Sequence, residues 1–296
     1  MVRSDVKNFK KIAIIGYGFV GKAIEKGFSK NTEIFLVDPL LNSSIPDLID
    51  FNPDFIFICV PTPMKEDGSQ NFQIVLEVFQ EIVDLEIDAC VILKSTVTVD
   101  NLKKAENLLP NFVYNPEFLR EKHAEFDFIN SKMIIIGSKK TEQGLVKQLY
   151  LQNSNCLTKN FILTDKITAS LIKYTINSFL ASKVLFFNQI KDIFDSSGAE
   201  EDWNDFINIL SLDERIGNSH MMVPGHDGKK GFGGACFTKD TAAMHKYSQI
   251  IGKEFKLLKT VLDLNNQIRS EYEFLDDREI EQNVNYKYLK NEKAKD

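Results

Sequence analysis

The chain has 296 residues, of which 43% are apolar and 26% are charged. This balance is typical of a globular protein of about two domains, long enough to bury a core without disulfides or metal ions. The net charge of −6 disfavours non-specific nucleic-acid binding, no apolar run is near the ~20 residues of a membrane span, and the polar N-terminus lacks the apolar core of a signal peptide. The sequence therefore predicts a cytoplasmic protein that binds neither nucleic acid nor membranes.

Short apolar runs alternate with helical segments through the first half of the chain. Helices are predicted over Gly18–Lys30, Phe72–Val83 and Val99–Leu108. The runs predicted as strands are Lys11–Gly16, Glu33–Asp38, Asp54–Val60, Ala89–Lys94, Phe112–Tyr114 and Lys132–Gly137. This alternation predicts the α/β class, with a Rossmann-like, doubly wound parallel sheet covered on both faces over residues 1–164.

The second half of the chain reads as helical. Asp165–Ser197 contains neither proline nor glycine and repeats apolar residues at helical spacing, which predicts one long helix that stops at Gly198. Further helices are predicted over residues 202–210, 235–250 and 254–269. We expect a helical substrate and dimerisation domain over residues 165–272. The last 24 residues, from Glu273, contain 12 charged ones and are predicted to form a solvated tail or an exposed helix, 273–296.

A G-x-G-x-x-G motif at residues 16–21 follows the first predicted strand and opens a helix. Its glycines allow a tight turn, a close approach of the backbone to a pyrophosphate and close packing of helix on strand. Asp38 ends the second strand, where it is expected to accept a hydrogen bond from a ribose 2′-OH and so favour NAD over NADP. The alternative is a glycine-rich turn with an aspartate that caps the next turn. The predicted cofactor contacts here are Gly16, Gly18, Phe19, Val20, Gly21 and Asp38.

Three pairs of polar residues stand four positions apart: Glu117 and Glu121, Lys173 and Asn177, and Cys236 and Asp240. Residues at this spacing share one face of a helix, so each pair is able to project into one cleft. The Lys173 pair stands out because its flanking positions are apolar. The alternative for this pair is a snorkelling lysine and a surface amide.

Cys236 differs from the other cysteines, of which Cys59 and Cys90 lie in apolar runs and are expected to be buried. It follows a run of glycines near a predicted helix start, with Lys239 nearby, an environment that lowers the pKa of a thiol. A thiolate is a nucleophile that can hold an aldehyde or acyl group. The alternative is a small buried residue. No cysteine forms a C-x-x-C pair and no histidine shows ligand spacing, so no metal site is indicated.

Seven segments resemble the UDP-glucose/GDP-mannose dehydrogenase family and occur in the family's order between residue 11 and about residue 269. They are KIAIIGYGFVGKAI, CVPTP, LKSTV, YNPEFLRE, KYTINSFLASKVLFFNQI, DERIG and GFGGACFTKDT. The resemblance implies a four-electron oxidation of the C6 primary alcohol of a nucleotide sugar to a carboxylate with two NAD per turnover. UDP-glucose is the leading substrate, and UDP-N-acetylmannosamine and GDP-mannose are alternatives because the motifs do not specify the sugar.

The resemblance also implies catalytic roles. Cys236 would capture the aldehyde as a thiohemiacetal, which a second hydride transfer converts to a thioester. Lys173 and Asn177 would stabilise the developing oxyanion. Asp240, with water, would handle the alcohol proton, and Glu121 would be the general base for thioester hydrolysis.

Further contacts are implied by the same matches. Thr96 would position water and contact the cofactor, as would Thr62 and Lys239. The implied substrate-side contacts are Glu117, Phe118, Arg215, Phe232 and Gly233. Plain alternatives are a turn cap for Thr96, a surface acid for Glu117 and an ion-pair partner for Arg215.

The chain departs from the family's pattern at its C-terminal end. Family members carry a third, doubly wound domain over the nucleotide, and this chain ends about 27 residues after Arg269. We therefore expect a shortened form, in which Lys229 and Lys230 of the loop 220–230 contact the diphosphate, and a homodimer along the long helix. The rival functions are a single-hydride NAD-dependent alcohol or hydroxyacid dehydrogenase, which would not need Cys236, and a non-catalytic nucleotide-sugar-binding protein.

Overall fold

A computed structural model describes residues 9–289, which form two compact units. Within this range the first unit comprises residues 9–62 and 72–173, and the second comprises residues 63–71 and 174–289. In the described part of the chain no helix is both long enough and apolar enough to cross a membrane.

The first unit is built on a seven-stranded sheet with the order β2-β1-β3-β4-β5-β6-β7. Neighbouring strands are parallel except β5 and β6, which are antiparallel. The strands are β1 (Lys10–Ile15), β2 (Thr32–Val37), β3 (Phe55–Ile58), β4 (Cys90–Leu93), β5 (Val113–Tyr114), β6 (Ile134–Gly137) and β7 (Phe161–Thr164). The predicted α/β, doubly wound class is confirmed, and β7 is an additional edge strand that the sequence pattern did not single out.

Helices cover both faces of this sheet. Successive strand residues point to opposite faces, and because both sets are apolar, each face is buried under helices. The helices of this unit are α1 (Phe19–Gly27), α2 (Leu48–Phe51), α3 (Gln73–Asp84), α4 (Val99–Leu108), α5 (Ala124–Ile129) and α6 (Lys140–Asn153). Ile12 and Ile14 of β1 lie in a hydrophobic cluster with α1, α5 and α6. Ala13 and Ile15 lie in a second cluster with α3 and α4. This two-sided burial explains why the strands read as continuous apolar runs.

The predicted long helix is confirmed as α7 (Lys166–Ser196), which ends just before Gly198 at a φ of +78°. Its residues up to Lys173 belong to the first unit and those from Tyr174 to the second. The other helices of the second unit are α8 (Trp203–Leu210), α9 (Ala235–Ile250), α10 (Lys256–Arg269) and α11 (Asp277–Glu281). One hydrophobic cluster joins α7, α9 and α10, and another joins α7 and α8.

The prediction of a solvated tail or an exposed helix from residue 273 fits residues 273–277, which are exposed, but is wrong from Glu279 onward, where several side chains are buried. Residues 276–289, which we call the C-terminal segment, pack into the second unit, and Tyr286, Tyr288 and Leu289 are buried. The Tyr288 ring lies 2.5 Å from where a Cβ on Gly68 would stand, and the Met64 N–H donates to the Gln282 carbonyl. The last part of the predicted tail, residues 290–296, lies outside the described residues.

Candidate active site

The glycine loop after β1 has the geometry of a dinucleotide-binding turn. Gly16 has a φ of +91°, and a Cβ there would lie 2.9 Å from the Cys59 carbonyl. A Cβ on Gly21 would lie 2.2 Å from the Gly16 carbonyl oxygen, so both positions exclude a side chain. A Cβ on Gly18 would meet no atom within 4 Å, which leaves the backbone open to a ligand. The loop therefore fits a pyrophosphate at the N-terminus of α1, whose first turn contains no acidic residue.

Asp38 stands directly after β2 and faces this loop. Its Oδ2 accepts a hydrogen bond of 2.8 Å from the Tyr17 N–H, and its Oδ1 accepts one of 2.9 Å from the Leu40 N–H. The carboxylate thus caps the next turn and is also tied to the glycine loop, as expected for a ribose-binding acid. Phe19 and Val20 begin α1 and pack partly against the hydrophobic cluster beneath it. A ligand at the start of α1 would therefore meet the backbone N–H groups of these two residues more than their side chains, which are only partly exposed.

Thr62 and Thr96 are joined by a hydrogen bond, although they follow different strands. The Thr62 hydroxyl donates to the Thr96 carbonyl at 3.1 Å, and the Ser95 hydroxyl donates to the Val60 carbonyl at 2.6 Å. Both threonines are buried at the carboxyl ends of β3 and β4, the edge where doubly wound sheets bind their ligands.

Lys173 forms a buried ion pair with Glu117. Its Nζ lies 3.3 Å from Glu117 Oε1 and 5.1 Å from the centre of the Phe118 ring. The other carboxylate oxygen of Glu117 accepts a hydrogen bond of 2.5 Å from the Leu119 N–H. The structure therefore brings three predicted residues together in the first unit, and Glu117 is not the surface acid of the plain alternative.

Glu121 is not paired with Glu117 on a helix, and that prediction is wrong. Residues 115–120 form no regular secondary structure, and Glu121 begins a 3₁₀ turn with an exposed side chain. The segment contains Pro116, and it lacks the apolar residues at helical spacing that would stabilise a helix. Sharing a helix face is therefore no argument for a common role of the two glutamates.

Lys94 is a buried residue of this unit to which the sequence analysis assigned no role. Its Nζ donates to Asn115 Oδ1 at 3.1 Å, and burial lowers its pKa to about 8 even though the nearby Cys59 and Glu117 favour the charged form. Lys94, Glu117 and Cys156 line a small cavity of about 30 Å³. The sequence did contain a signal for this burial. Lys94 directly follows the apolar run of β4, so the buried strand holds the lysine inside the protein.

In the second unit, Asn177 and Asp240 are joined by a hydrogen bond of 2.7 Å from Asn177 Nδ2 to Asp240 Oδ2. Lys239 Nζ lies 2.6 Å from Asp240 Oδ1. Asn177 and Asp240 are both buried. Lys239 was predicted to contact the cofactor, and in this structure its ammonium group is paired with Asp240.

Cys236 lies in the first turn of α9, one turn before Asp240, and its side chain is partly exposed. The loop that leads to it, Gly231–Gly234, is held by side chains. The Gly231 N–H donates to Asn188 Oδ1 at 2.9 Å, and the Gly234 N–H donates to Glu279 Oε1 at 2.9 Å. Cys236 thus follows a positioned backbone at the positive end of a helix.

Phe232 and Gly233 of this loop face inward. The Phe232 side chain lies in the hydrophobic core, and its N–H and carbonyl both bond to the Asn265 amide, at 2.8 and 3.0 Å. A Cβ on Gly233 would lie 1.9 Å from Arg269 Nη2. The expected substrate contacts by these two residues are therefore not supported, because packing and Arg269 occupy their side-chain positions.

Arg215 and the lysines of the loop 220–230 have partners within the protein. Arg215 is highly exposed and pairs with Asp213 two residues earlier, as in the plain alternative of an ion-pair partner. Lys229 Nζ donates to the Phe274 carbonyl at 2.8 Å, and Lys230 Nζ lies 2.6 Å from Asp192 Oδ1. The expected diphosphate contact by these lysines gains no support from this geometry.

Two models of one family match the chain in sequence. They are "UDP-glucose/GDP-mannose dehydrogenase family, NAD binding domain" over residues 40–153 and the central domain of the same family over residues 167–267. The chain belongs to this family. Its cofactor is NAD, which fits the glycine loop and Asp38 of the first unit.

Individual members of the UDP-glucose/GDP-mannose dehydrogenase family are similar in sequence or fold. A UDP-glucose 6-dehydrogenase of Rickettsia felis is 33% identical over 224 residues, which cover 73% of this chain and 48% of that protein. The structure of a UDP-glucose dehydrogenase from Pyrobaculum islandicum matches with a TM-score of 0.73 at 23% identity, over 90% of this chain and 70% of that chain. A GDP-mannose dehydrogenase from Pseudomonas aeruginosa matches with a TM-score of 0.62 at 25% identity, over 88% and 69% of the two chains. The chain thus spans about half the length of the curated relatives it matches in sequence.

Proposed function

We propose that the protein is an NAD-dependent nucleotide-sugar 6-dehydrogenase that oxidises the C6 primary alcohol of its substrate to a carboxylate. The observation that carries the proposal is the position of Cys236 in the first turn of α9, directly after a loop whose backbone is held by buried side chains. The positive end of a helix stabilises a thiolate, which is the reactive form of cysteine. Membership of the family supports the same chemistry.

The first oxidation and the capture of its product need an acceptor for a proton and donors for an oxyanion. NAD, when bound, accepts one hydride in each of the two oxidation steps. Asp240, with water, takes the proton of the alcohol as the carbon loses its hydride and becomes an aldehyde. The Cys236 thiolate then adds to the aldehyde carbon, and Lys173 and Asn177 stabilise the oxyanion until it is protonated.

Both oxyanion donors have the hydrogens that this role requires. An amide group carries two N–H donors, so the Asn177 amide can donate to Asp240 and to an oxyanion together. An ammonium carries three donors, so the pairing of Lys173 with Glu117 is compatible with donation to substrate. Asp240, with water, returns the proton to the oxyanion and takes it again in the second oxidation, in which the thiohemiacetal also loses a hydride and becomes a thioester on Cys236.

Hydrolysis completes the proposed reaction. Water, positioned by Thr96 and activated by Glu121, attacks the thioester carbon; the carbon–sulfur bond breaks, and the carboxylate leaves while the thiolate of Cys236 is restored. Glu121 is exposed, whereas Glu117 is buried against Lys173. Glu121→Gln should therefore accumulate a thioester on Cys236 that mass spectrometry detects, and accumulation in Glu117→Gln instead would move the base to Glu117.

The substrate that the proposal favours is UDP-glucose, with UDP-glucuronate as the product. The name of the Rickettsia felis relative supports this choice, and the name of the Pseudomonas aeruginosa structure keeps GDP-mannose as an alternative. UDP-N-acetylmannosamine is the third candidate. The proposal includes a cytoplasmic reaction that serves polysaccharide biosynthesis.

The test of the proposal counts NADH against sugar consumed for the three nucleotide sugars. Wild type and Cys90→Ser, a control in buried strand β4, should form two NADH and one carboxylate per sugar, and Cys236→Ser should lose this activity. One NADH per sugar with an active Cys236→Ser would instead identify a single-hydride dehydrogenase. NAD binding without turnover of any sugar would favour a non-catalytic nucleotide-sugar-binding protein.

We also propose that the protein is a homodimer formed along α7. Phe179, Phe186 and Ile193 stand seven positions apart on this helix and are 67%, 61% and 64% exposed. Large apolar side chains repeated along one exposed helix face are typical of an interface. Sedimentation at micromolar concentration should give a dimer for wild type and a monomer for Phe186→Glu, and a monomeric wild type would exclude the dimer.

A further inference from the structure

Glu279 is a fully buried carboxylate in the C-terminal segment. Its Oε1 accepts three hydrogen bonds: 2.9 Å from the Gly234 N–H, 3.2 Å from Arg269 Nη2 and 2.6 Å from the Tyr286 hydroxyl. Its Oε2 accepts a hydrogen bond of 3.0 Å from the Asp276 N–H. One side chain from the C-terminal segment is therefore bonded directly to the backbone that precedes Cys236.

The backbone at Gly234 needs such an external partner. Gly234 is the N-cap residue of α9 with a φ of +73°, a conformation that side-chain-bearing residues rarely adopt, and glycine has no side chain with which to cap the helix. Asn188 and Asn265 hold the earlier loop residues, Gly231 and Phe232. Within the described residues, Glu279 Oε1 is the acceptor for the Gly234 N–H.

Arg269 forms ion pairs with both Glu279 and Asp227 and packs against the loop at Gly233. Its Nη1 donates to Asp227 Oδ2 at 2.7 Å, its Nη2 to Glu279, and its guanidinium carbon lies 5.7 Å from the centre of the Tyr286 ring. The guanidinium fills the space that a side chain on Gly233 would need. The positive charge of Arg269 therefore offsets part of the negative charge that Glu279 places near the start of α9, where a carboxylate would oppose thiolate formation.

The same network reaches α9 itself. The Tyr286 hydroxyl lies 3.4 Å from Thr238 Oγ1, and the Thr238 hydroxyl donates to the Gly234 carbonyl at 3.0 Å. Burial acts to raise the pKa of Glu279, but hydrogen bonds from Tyr286 and from backbone N–H groups, with the charge of Arg269, hold it below the usual value. Glu279 therefore stays an anionic acceptor at the pH of enzymatic reactions.

We propose that Glu279 is a positioning residue for Cys236, and that the C-terminal segment is the element that holds the thiol-bearing end of α9 in its reactive position. The proposal rests on the proposed function for its catalytic meaning, because it assumes that Cys236 is the nucleophile. The positioning itself is a property of the protein without substrate. Glu279 acts through Gly234, and no contact of its own with a reacting atom is part of the proposal.

The experiment compares wild type with Glu279→Ala, which removes the acceptor, and Glu279→Gln, which keeps one acceptor oxygen. Glu281→Ala is the matched control, since Glu281 lies in the same short helix α11 with an exposed side chain. The first readout is the rate at which iodoacetamide alkylates Cys236 without substrate, followed by peptide mass spectrometry. The second is hydrogen exchange of residues 231–238 compared with residues 256–263 of α10.

We expect Glu279→Ala to alkylate Cys236 about fivefold faster, because a loosened loop exposes the thiol more often. Exchange should accelerate in residues 231–238 and stay unchanged in residues 256–263, whereas a merely structural role would speed both. Misplacement of a catalytic group commonly lowers turnover by about tenfold to a hundredfold, so kcat should fall in that range with KM changed less than about twofold. Glu279→Gln should recover part of each effect, and Glu281→Ala should match wild type.

Alkylation in folded Glu279→Ala that is unchanged or slower than in wild type would overturn the proposal. If Glu279→Ala fails to fold, Tyr286→Phe, which removes one donor to Glu279, should shift alkylation in the same direction by about twofold. An unchanged rate in both Tyr286→Phe and Glu279→Gln would then overturn it. Faster alkylation in these variants, with no turnover even in wild type, would support the positioning while excluding the proposed function.

Discussion

Replacing Lys94 with methionine should stabilise the protein at neutral pH. The Lys94 ammonium lies after β4, fully enclosed by the first unit, and its hydrogen bond is to the neutral Asn115 amide at 3.1 Å. Burial lowers its pKa from 10.5 to about 8. A lowered lysine pKa means that the folded protein disfavours the charged form, so protonated Lys94 reduces the free energy of unfolding.

The size and sign of the effect follow from the two pKa values. The shift from 10.5 to about 8 corresponds to about 3 kcal/mol at about 1.4 kcal/mol per pKa unit. Below pH 8 this penalty is present in full, because Lys94 is protonated in both states. Between pH 8 and 10.5 the unfolded chain binds more protons than the folded protein, so the free energy of unfolding rises with pH and the penalty disappears.

Methionine has nearly the same length as lysine and carries no charge. It removes the penalty but also the hydrogen bond to Asn115 Oδ1, worth about 1 kcal/mol. That oxygen keeps the hydrogen bond of 2.7 Å from the Tyr150 hydroxyl. The expected net gain for Lys94→Met is therefore about 2 kcal/mol at pH 7, and it should vanish at about pH 10, where the remaining penalty equals the lost hydrogen bond.

Urea unfolding followed by circular dichroism at pH 7 and pH 10 measures this difference. Lys166→Met is the matched control, because the buried Lys166 ammonium is paired with Glu106 at 2.9 Å and with the Pro110 carbonyl at 3.0 Å. The control should be less stable than wild type at both pH values, since it leaves these partners unpaired. A Lys94→Met variant that is less stable at pH 7, or equally stabilised at pH 7 and pH 10, would refute the reasoning.

Three glycine substitutions test the close contacts of the two loops. Gly21→Ala places a Cβ 2.2 Å from the Gly16 carbonyl oxygen, so calorimetric titration should show NAD affinity reduced by more than about tenfold together with a lower Tm. Gly18→Ala meets no atom within 4 Å and should weaken NAD binding by the same assay without lowering Tm; a normal affinity would contradict the assigned pyrophosphate approach. Gly233→Ala places a Cβ 1.9 Å from Arg269 Nη2, so differential scanning calorimetry should show a lower Tm, and an unchanged Tm would show that Arg269 moves aside at little cost.

The sequence predicted the first unit well because its features obey local steric rules. A strand buried on both faces must be apolar throughout, as Ile12–Ile15 is, and a turn against Cys59 excludes a side chain at Gly16. The long helix could also be predicted, because no proline or glycine interrupts it and Gly198 supplies the positive φ after its end. Each of these features is decided by a few neighbouring residues.

The candidate site was less predictable, because its pairs come from distant parts of the chain. The buried ion pair of Lys173 joins residues 56 positions apart, and the Asn177–Asp240 hydrogen bond joins residues 63 positions apart. Spacing of four residues suggested a helix for Glu117 as well, yet charged residues at that spacing do not form a helix without apolar residues that bury one face. Spacing therefore succeeded only where a helix was supported independently.

The C-terminal segment shows why average charge is a poor guide to burial. In residues 284–288 the apolar and aromatic side chains alternate with polar ones, and Val284, Tyr286 and Tyr288 are buried. An average of charge over the tail removes this local pattern, although residues 286–287 form a turn and not an extended strand. Glu279 is a different case, because an isolated buried carboxylate is strongly disfavoured and becomes stable only with donors such as Arg269. Its burial depends on tertiary partners, so no pattern within the tail alone could have predicted it.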